Sequence, residues 1–350
     1  MNHRLGYGLL RPPGLGISSA STGRNPRAEA LHHRMFGTSD ASTVTEMWLD
    51  SLEAGRSSEA ILLGVPSDTG GGAVRGAAFG PIGVREALYA SGPIDGFDLG
   101  DTFVLPHLLH DDLLNEATLT AAHEAVHGPT DLRLPVSPLS VAEYVAQRLG
   151  SMPNPAALFT IGGDHSVSGA VLPHLVASSV EDIALVVIDG HTDLEKSRYG
   201  LPLTYSSWVK YADTKVHLPA IVQIGSPDVP GVVRPSERLL LIGLDVAQDP
   251  VLVGDLVADW LAGLGVASIY LSIDIDATTH SQAPATGLPA PEGIDREVVL
   301  DLIARLGDRH SLRGGDVMEV APPLSGSVAW QDEATCVTGA MYLRAMMATR

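Results

Sequence analysis

Three apolar segments, each typical of a buried strand, are followed at once by acidic and histidine residues. The polar segments read Gly162-Gly163-Asp164-His165-Ser166, Asp189-Gly190-His191-Thr192-Asp193 and Ser272-Ile273-Asp274-Ile275-Asp276. Side chains of a strand alternate between its faces, so residues two apart point the same way. Asp189, His191 and Asp193 therefore converge if the extended path of the strand continues through them. Asp274 and Asp276 converge in the same way, which favours a site for two divalent cations.

From Ala60 onward, strand-like apolar runs alternate with helical patterns. Short continuous apolar runs are typical of parallel strands that helices cover on both faces. The predicted strands are Ile61–Val65, Leu158–Ile161, Ile183–Ile188, Ile221–Ile224, Leu239–Leu244, Ile269–Ile273 and Val317–Val320. The predicted helices are Val141–Leu149, Val167–Ala177, Pro250–Leu264, Asp295–Leu306 and Thr335–Met347. This alternation predicts an α/β fold, a three-layer α/β/α arrangement with a mainly parallel, open sheet.

The polar segments follow the predicted strands Leu158–Ile161, Ile183–Ile188 and Ile269–Ile273. In open α/β sheets, ligands bind beyond the carboxyl ends of the strands, so pattern and topology indicate one site. Buried strand ends rarely carry this many ionisable groups without a metal, because an unpaired buried charge is costly.

The composition argues against several classes of partner. The chain has 350 residues and a formal net charge of −19, with no Lys/Arg cluster, so it is a poor candidate for binding nucleic acid. No apolar run approaches membrane-spanning length, and the N-terminus lacks a signal-peptide stretch. A single cysteine, Cys336, allows no disulfide within the chain. We therefore expect a cytoplasmic protein that binds neither nucleic acid nor membrane.

The first residues differ from the rest of the chain. Residues 1–55 are rich in Gly, Ser, Arg and Pro and show weak periodicity. They are predicted to form an N-terminal extension that is partly mobile or lies at a subunit interface. Residues 56–350 are predicted to form the catalytic domain.

Six segments between about residue 60 and the end match the motifs of one family. They are Gly64–Asp68, Arg75–Pro81, the Gly-Gly-Asp-His-Ser segment, the Asp-Gly-His-Thr-Asp segment, Ser272–Pro289 and Asp316–Pro322. The Asp-Gly-His-Thr-Asp segment differs from the family's Asp-Ala-His-x-Asp only by Ala to Gly, and the Gly-Gly-Asp-His-Ser segment matches in full. The chain thus resembles the ureohydrolases, the arginase and agmatinase group, and its opening loop is nearer the agmatinase form.

The resemblance implies a set of metal ligands. One ion would be held by His165, Asp189, Asp193 and Asp274, and the second by Asp189, His191, Asp274 and Asp276. Asp189 and Asp274 would bridge the two ions. The family usually uses Mn²⁺, here two per chain, and mixed oxygen and imidazole ligands suit manganese. Ni²⁺ is the alternative, because ligand type alone does not exclude it.

The resemblance also implies an activity and an assembly. A hydroxide bridging the metals would attack a guanidino carbon and release urea and an amine, from agmatine or a related guanidino substrate. Asp193, Glu319 and Tyr205 are the candidate catalytic residues, and Glu319 would also bind the guanidinium through charge-assisted hydrogen bonds. Because the family forms trimers and hexamers, a homo-oligomer is expected.

Two departures from the family pattern bear on the substrate. Tyr205 replaces a histidine that shuttles protons in arginases, and a tyrosine with its usual pKa of about 10 is a poor base at neutral pH. Glu195 lies where arginases grip the substrate carboxylate, which favours a substrate whose far end is neutral or cationic. That conclusion reverses if Lys196 or Arg198 points inward.

Two alternative functions remain open. The chain could hydrolyse another amidine, such as a formimidoyl or modified guanidino group. It could also be a metal-bound homologue that has lost turnover with its histidine, although retention of all six ligands argues against this class.

Overall fold

The computed structural model describes residues 7–17, 25–72, 74–290 and 292–349. Its strands are β1 (Leu10–Arg11), β2 (Ala60–Gly64), β3 (Phe97–Thr102), β4 (Ala157–Ile161), β5 (Ile183–Ile188), β6 (Ile221–Ile224), β7 (Val232–Ser236), β8 (Leu239–Ile242), β9 (Ser268–Asp274) and β10 (Ser311–Met318). Within the described residues they form one ten-stranded sheet in the order β1-β3-β2-β4-β10-β9-β5-β6-β8-β7. The inner pairs are parallel, and only the two edge strands β1 and β7 pair antiparallel.

Helices cover both faces of this sheet. They are α1 (Pro26–Phe36), α2 (Ala41–Ala54), α3 (Gly80–Ala90), α4 (Glu116–His127), α5 (Pro138–Gly150), α6 (Ser166–Ser178), α7 (Trp208–Val216), α8 (Leu244–Ala247), α9 (Pro250–Gly263), α10 (Arg296–Arg309) and α11 (Ala334–Ala348). One apolar core joins the sheet to α3, α9, α10 and α11, and a second joins the other face to α5, α6 and α7. The predicted three-layer α/β/α fold is confirmed.

The seven predicted strands and five predicted helices are all present; Ile183–Ile188 and Ile221–Ile224 have the predicted ends, and the others are shifted. The last predicted strand, Val317–Val320, begins earlier, at Ser311, and ends at Met318. Its first half reads Ser-Leu-Arg-Gly-Gly and therefore lacks an apolar run. The predicted strand Leu239–Leu244 ends at Ile242, because the next residues enter a short helix.

Strand β3 was not predicted; it reads Phe-Asp-Leu-Gly-Asp-Thr and carries two acidic residues inside the sheet. Both pair with the fully buried Arg85 of α3. Its guanidinium contacts the Asp98 carboxylate at 2.8 and 2.9 Å and also binds Asp101. Buried charge is tolerated only when it is paired, so the strand depends on an arginine of the preceding helix.

The described part of the N-terminal extension packs on its own chain. Ala28 and Leu31 of α1 belong to the core shared with α3. Trp48 of α2 lies in the second core and donates from Nε1 to the carbonyl of Leu99 at 3.3 Å. Residues 1–6 and 18–24 lie outside the described residues. The idea that residues 1–55 are partly mobile or contact another subunit stays a prediction.

A membrane span was not expected from the sequence. Among the helices of the described residues, none combines the length and apolarity needed to cross a bilayer.

Candidate metal centre and substrate site

The site lies beyond the carboxyl ends of four neighbouring central strands, β4, β10, β9 and β5. His165 and Glu319 come shortly after β4 and β10, Asp274 ends β9, and Asp189 directly follows β5. Because parallel strands end at the same edge of a sheet, the three polar segments meet there. The predicted single site at this edge is therefore found, and Glu319 joins it from the strand between β4 and β9.

The segment after β5 converges through a turn rather than through a continued strand. β5 ends at Ile188, and Asp193 has a left-handed backbone with φ of 50°. The backbone N–H of His191 donates to Asp189 Oδ1 at 2.6 Å, which closes the first part of the turn. The chain therefore does not follow the extended path on which the predicted convergence was conditional, although Asp189 lies close to both His191 and Asp193.

A turn also delivers the two aspartates of the third segment. Asp274 is the last residue of β9, and Asp276 lies in the 3-10 turn Ile275–Ala277. Asp274 Oδ1 accepts from the N–H of Asp276 at 2.9 Å, and Asp276 Oδ1 accepts from the N–H of Gly190 at 3.1 Å. These bonds hold one oxygen of each carboxylate and leave the other facing the site.

One group of candidate ligands surrounds His165. Its Nδ1 lies 3.0 Å from Asp274 Oδ2, 3.2 Å from Asp193 Oδ2 and 3.3 Å from Asp189 Oδ2. All four side chains are buried. Nδ1 of His165 and Oδ2 of Asp189 nevertheless lack a hydrogen-bond partner in the described part of the chain. Buried polar atoms are nearly always satisfied, so this pair of atoms marks a place for a ligand.

A second group shares Asp189 with the first. His191 Nδ1 lies 3.0 Å from Asp276 Oδ2 and 3.6 Å from Asp189 Oδ1. The two oxygens of Asp189 thus face different histidines, as a bridging carboxylate requires. His165, Asp189 and Asp193 have ligand atoms close enough to hold one ion, and so do Asp189, His191 and Asp276. Asp274 is absent from both of these sets, so its predicted bridging role stays a prediction.

The electrostatics of the cluster fit divalent cations. Burial opposes protonation of His165, but the three carboxylates that face it prevail and raise its pKa well above the usual value. Contacts with Asp189 and Asp276 raise the pKa of His191 to about 12. Metal ligation requires neutral imidazoles, so cations would displace these protons. Four buried carboxylates would then balance the charge of two divalent ions.

Burial and mutual repulsion act on the carboxylates too. Burial, together with the charge of Asp189, raises the pKa of Asp193 to about 7. Burial, followed by the charges of Asp276 and Asp189, raises the pKa of Asp274 well above its usual value. The oxygen and imidazole atoms present suit manganese or nickel, and the residues therefore fit the expected group.

A buried polar network orients His165. The ring Nε2 pairs with Ser272 Oγ at 2.9 Å, and this hydroxyl pairs with Asp316 Oδ1 at 2.6 Å. Asp316 Oδ2 accepts from Tyr270 OH at 2.7 Å and from Ser168 Oγ at 2.8 Å. With Ser272 accepting from Nε2, the lone pair of Nδ1 faces the ligand group. Asp316 was assigned no role from the sequence, although an aspartate beside the apolar residues Val317 and Met318 was a usable signal.

Trp208 is a second residue that the sequence analysis did not single out. Its Nε1 donates to Asp193 Oδ2 at 2.8 Å, and its ring lies 4.6 Å from the His165 ring, measured between centroids. Trp208 begins α7 and is fully buried. It therefore holds the carboxylate of Asp193 in place beside His165.

Glu319 is held beside the first ligand group. It follows the end of β10 and has a left-handed backbone with φ of 62°. Its Oε1 accepts from the N–H of His165 at 2.9 Å, and its own N–H donates to the carbonyl of Gly163 at 2.9 Å. Burial, then the charges of Asp274 and Asp164, raises the pKa of Glu319 well above its usual value. A cationic group bound next to Glu319 would reverse this effect.

Tyr205 and Glu195 lie on the loop beyond Asp193, where they meet Arg198. Glu195 Oε1 accepts from Arg198 Nη1 at 3.0 Å, and Glu195 Oε2 accepts from Ser206 Oγ at 3.1 Å. The Arg198 guanidinium lies 5.4 Å from the centre of the Tyr205 ring. Burial raises the pKa of Tyr205, although the charge of Arg198 opposes this. Tyr205 and Glu195 thus share Arg198 as a neighbour, and Glu195 is paired with a cation.

Comparison with known proteins identifies the family. The model of the arginase family matches residues 58–348, which is most of the chain. The chain belongs to the arginase family. It is accordingly a hydrolase that acts on non-peptide C–N bonds of linear amidines, and the predicted resemblance is confirmed.

Two curated relatives cover most of the chain. Proclavaminate amidinohydrolase of Streptomyces clavuligerus is 32% identical over 282 residues, which covers 76% of this chain and 82% of the relative. Agmatinase of Bacillus anthracis is 26% identical over 308 residues, with 86% and 95% covered. The solved structure of the Streptomyces clavuligerus enzyme matches 84% of this chain and 93% of its own, with a TM-score of 0.62 and 23% identity.

Proposed function

We propose that this arginase-family hydrolase is a dinuclear-metal amidino hydrolase that cleaves a guanidino C–N bond and gives urea and an amine. Its metal ligands are His165, Asp189, His191, Asp193, Asp274 and Asp276. Mn²⁺ is the proposed metal, two ions per chain, with Ni²⁺ as the alternative. We further propose a cytoplasmic homo-oligomer, a trimer or hexamer.

The division of Asp189 between two histidines carries this proposal. Oδ2 of Asp189 lies 3.3 Å from His165 Nδ1, and Oδ1 lies 3.6 Å from His191 Nδ1. A single structural ion would need only one of these groups. Two adjacent groups with a shared carboxylate are typical of sites in which a metal pair acts on one substrate.

The chain's own residues supply the binding and orientation. Glu319 offers a buried carboxylate next to the first ligand group, suited to pair with a guanidinium. Trp208 holds Asp193 by the bond at 2.8 Å. Tyr205 would donate a hydrogen bond to the leaving nitrogen, because its raised pKa keeps the phenol protonated at neutral pH.

The reaction transfers a water molecule across one C–N bond. The water oxygen bonds to the guanidino carbon, the bond from that carbon to the substituted nitrogen breaks, and the two water protons end on the products. When bound, the two cations would supply a water activated at neutral pH. Glu319 would hold the guanidinium in one orientation for attack at its carbon, while the protein excludes bulk water from the buried ligands.

Urea release tests this proposal directly. The protein is reconstituted with Mn²⁺ and offered agmatine, arginine and several guanidino acids, and urea is measured. Glu319→Gln is the diagnostic variant, because the amide oxygen still accepts from His165 N–H while the charge is lost. It should lower kcat/KM by a factor on the order of ten to a hundred, the value of a charged hydrogen bond, at unchanged metal content. No urea from any substrate would contradict the proposal.

The presence of Tyr205 supports one alternative class of substrate. A site without the shuttle histidine would also suit another amidine, such as a formimidoyl or modified guanidino group. Hydrolysis of a formimidoyl compound releases formamide rather than urea, so adding a formimidoyl amino acid to the panel and analysing the products separates the two reactions. A protein that binds two metals and releases neither product would be a non-catalytic homologue.

A further inference from the structure

The N-terminal extension contacts the loop that follows Glu319. The arginase-family model begins at residue 58, so α1 lies outside it. Residues 320–332, here called the late loop, continue from Glu319 to the start of α11. Arg27 of α1 joins these two parts of the chain, which are about three hundred positions apart.

Arg27 makes three contacts at one point. Its Nη2 donates to the carbonyl of Val328 at 2.9 Å, and its Nη1 pairs with Glu86 Oε2 of α3 at 3.1 Å. Its guanidinium carbon lies 3.5 Å from the centre of the Trp330 ring. The planar fork of arginine serves all three contacts at once, which a lysine cannot do.

The late loop is also packed against residues 75–79, here called the opening loop. Trp330 meets Phe79 edge to face at 6.1 Å between ring centroids. A β-carbon on Gly76 would lie 3.2 Å from that of Ala321, and one on Gly83 of α3 would lie 2.5 Å from the Pro322 ring. The late loop is therefore clamped between α3, the opening loop and Arg27.

Glu319 depends on this clamp, because its backbone is strained. A non-glycine residue with φ of 62° is sparsely populated and persists only when its surroundings determine it. On one side Glu319 is anchored by β10 and by bonds to Gly163 and His165. On the other side the chain runs directly into the late loop.

We infer that Arg27 is a positioning residue, through which the N-terminal extension holds the late loop and so presets Glu319 for a guanidinium. This inference rests on the proposed role of Glu319. If the loop loosens, only a fraction of molecules present the carboxylate correctly, and the apparent affinity falls by that fraction. Bound guanidinium restores the arrangement, so turnover of the complex is largely kept.

The test uses Arg27→Met, Arg27→Lys and a matched control in the full, Mn²⁺-reconstituted chain. Met keeps most of the side-chain volume and loses the charge and the bonds. The control is Arg313→Met, which removes an exposed arginine paired with Glu181 at the opposite end of β10. KM and kcat for the best substrate are measured together with amide hydrogen exchange over the late loop.

Arg27→Met should raise KM on the order of ten-fold, change kcat by less than about three-fold and speed exchange of the late loop. Arg27→Lys should fall between wild type and Arg27→Met, and Arg313→Met should leave all three quantities unchanged. An unchanged KM in Arg27→Met would overturn the inference, even if the melting temperature falls. A raised KM with unchanged exchange would overturn it as well.

Failure of the proposed function can be distinguished from failure of this inference. If wild type turns over no substrate of the panel, the Kd of guanidinium chloride, measured by calorimetry at millimolar concentration, replaces KM. Weaker guanidinium binding in Arg27→Met with faster loop exchange then supports the inference, and equal binding overturns it.

Discussion

Ser272→Ala isolates the contribution of the buried network to metal binding. Ser272 joins the Nε2 of His165, at 2.9 Å, to the carboxylate of Asp316, at 2.6 Å. The variant leaves Nε2 and one oxygen of Asp316 buried without this partner. It also frees the imidazole to place its proton on Nδ1, the atom that faces the ligand group.

The chain contains a matched control for this change. Ser168 is as buried as Ser272 and donates to the same carboxylate at 2.8 Å, but to the oxygen that Tyr270 also reaches. Ser168→Ala therefore removes one hydroxyl from Asp316 and leaves the bond to His165 intact. Loss of an outer partner of a ligating histidine typically weakens metal binding about 10- to 100-fold, which is about 1.4–2.7 kcal/mol.

The assay is competition for Mn²⁺ against a chelator of known affinity, combined with thermal unfolding of the apo forms. Ser272→Ala should weaken binding of the ion at His165 by the stated factor, while Ser168→Ala changes it by less than about three-fold. Ser272→Ala should lose about 1–3 kcal/mol of apo stability for an unsatisfied buried group, and Ser168→Ala should lose less, because Asp316 Oδ2 keeps its bond from Tyr270. Equal metal affinities in the two variants would refute the argument that Ser272 acts through His165.

Three further predictions concern the same site. Chelation should abolish urea release and Mn²⁺ should restore it at two ions per chain by elemental analysis; a ratio near zero would contradict the dinuclear proposal. Asp189→Asn should lose both ions and Asp276→Asn only one, whereas equal losses would remove Asp189 as the bridge. Tyr205→Phe should lower kcat about 10- to 100-fold, or about 1.4–2.7 kcal/mol, at unchanged metal content. An unaltered rate would leave Tyr205 as a wall of the pocket.

The parts of the fold that could be predicted were those in which local pattern and burial agree. β5 reads Ile-Ala-Leu-Val-Val-Ile and is buried throughout, so its apolar run correctly predicted an inner parallel strand. β3 could not be found in this way, because its aspartates are acceptable in the sheet only with Arg85 beside them. A strand that depends on a partner from a preceding helix has no signal in its own residues.

The helices of the N-terminal extension were not predicted, for a related reason. α1 has an N-cap, Asn25, whose side chain accepts from Ala28 N, and proline at its first position. These are proper helix-start signals, but α1 buries only Ala28, Leu31 and His32, and one of these three is a histidine. The helix also lies in a stretch rich in Gly, Ser, Arg and Pro, so it was not predicted, and packing on α3 stabilises it.

The ligand types in the site were predictable and their geometry was not. The spacing of Asp189, His191 and Asp193 suggested alternation along a strand, yet the left-handed backbone at Asp193 turns the chain there. The prediction of convergence held because parallel strands share an edge, not because the path stays extended. Asp316 of β10 orients His165 through Ser272, and Trp208 of α7 holds Asp193. Only the packed structure brings these residues next to the candidate metal ligands that they orient.

The prediction for the far end of the substrate changes once the charge next to Glu195 is known. Glu195 alone would repel a carboxylate, and on that basis a neutral or cationic far end was expected. In the structure Arg198, three residues later, pairs with Glu195 at 3.0 Å and also faces the ring of Tyr205. The pair is locally neutral, so Glu195 no longer favours a cationic group. The net charge of −19 still attracts cations at long range, but salt screens that field beyond about 8–10 Å. Relative kcat/KM for agmatine and a guanidino acid of equal length, measured at two salt concentrations, separates the contribution of the Glu195–Arg198 pair from that of the general field, because only the latter is strongly screened.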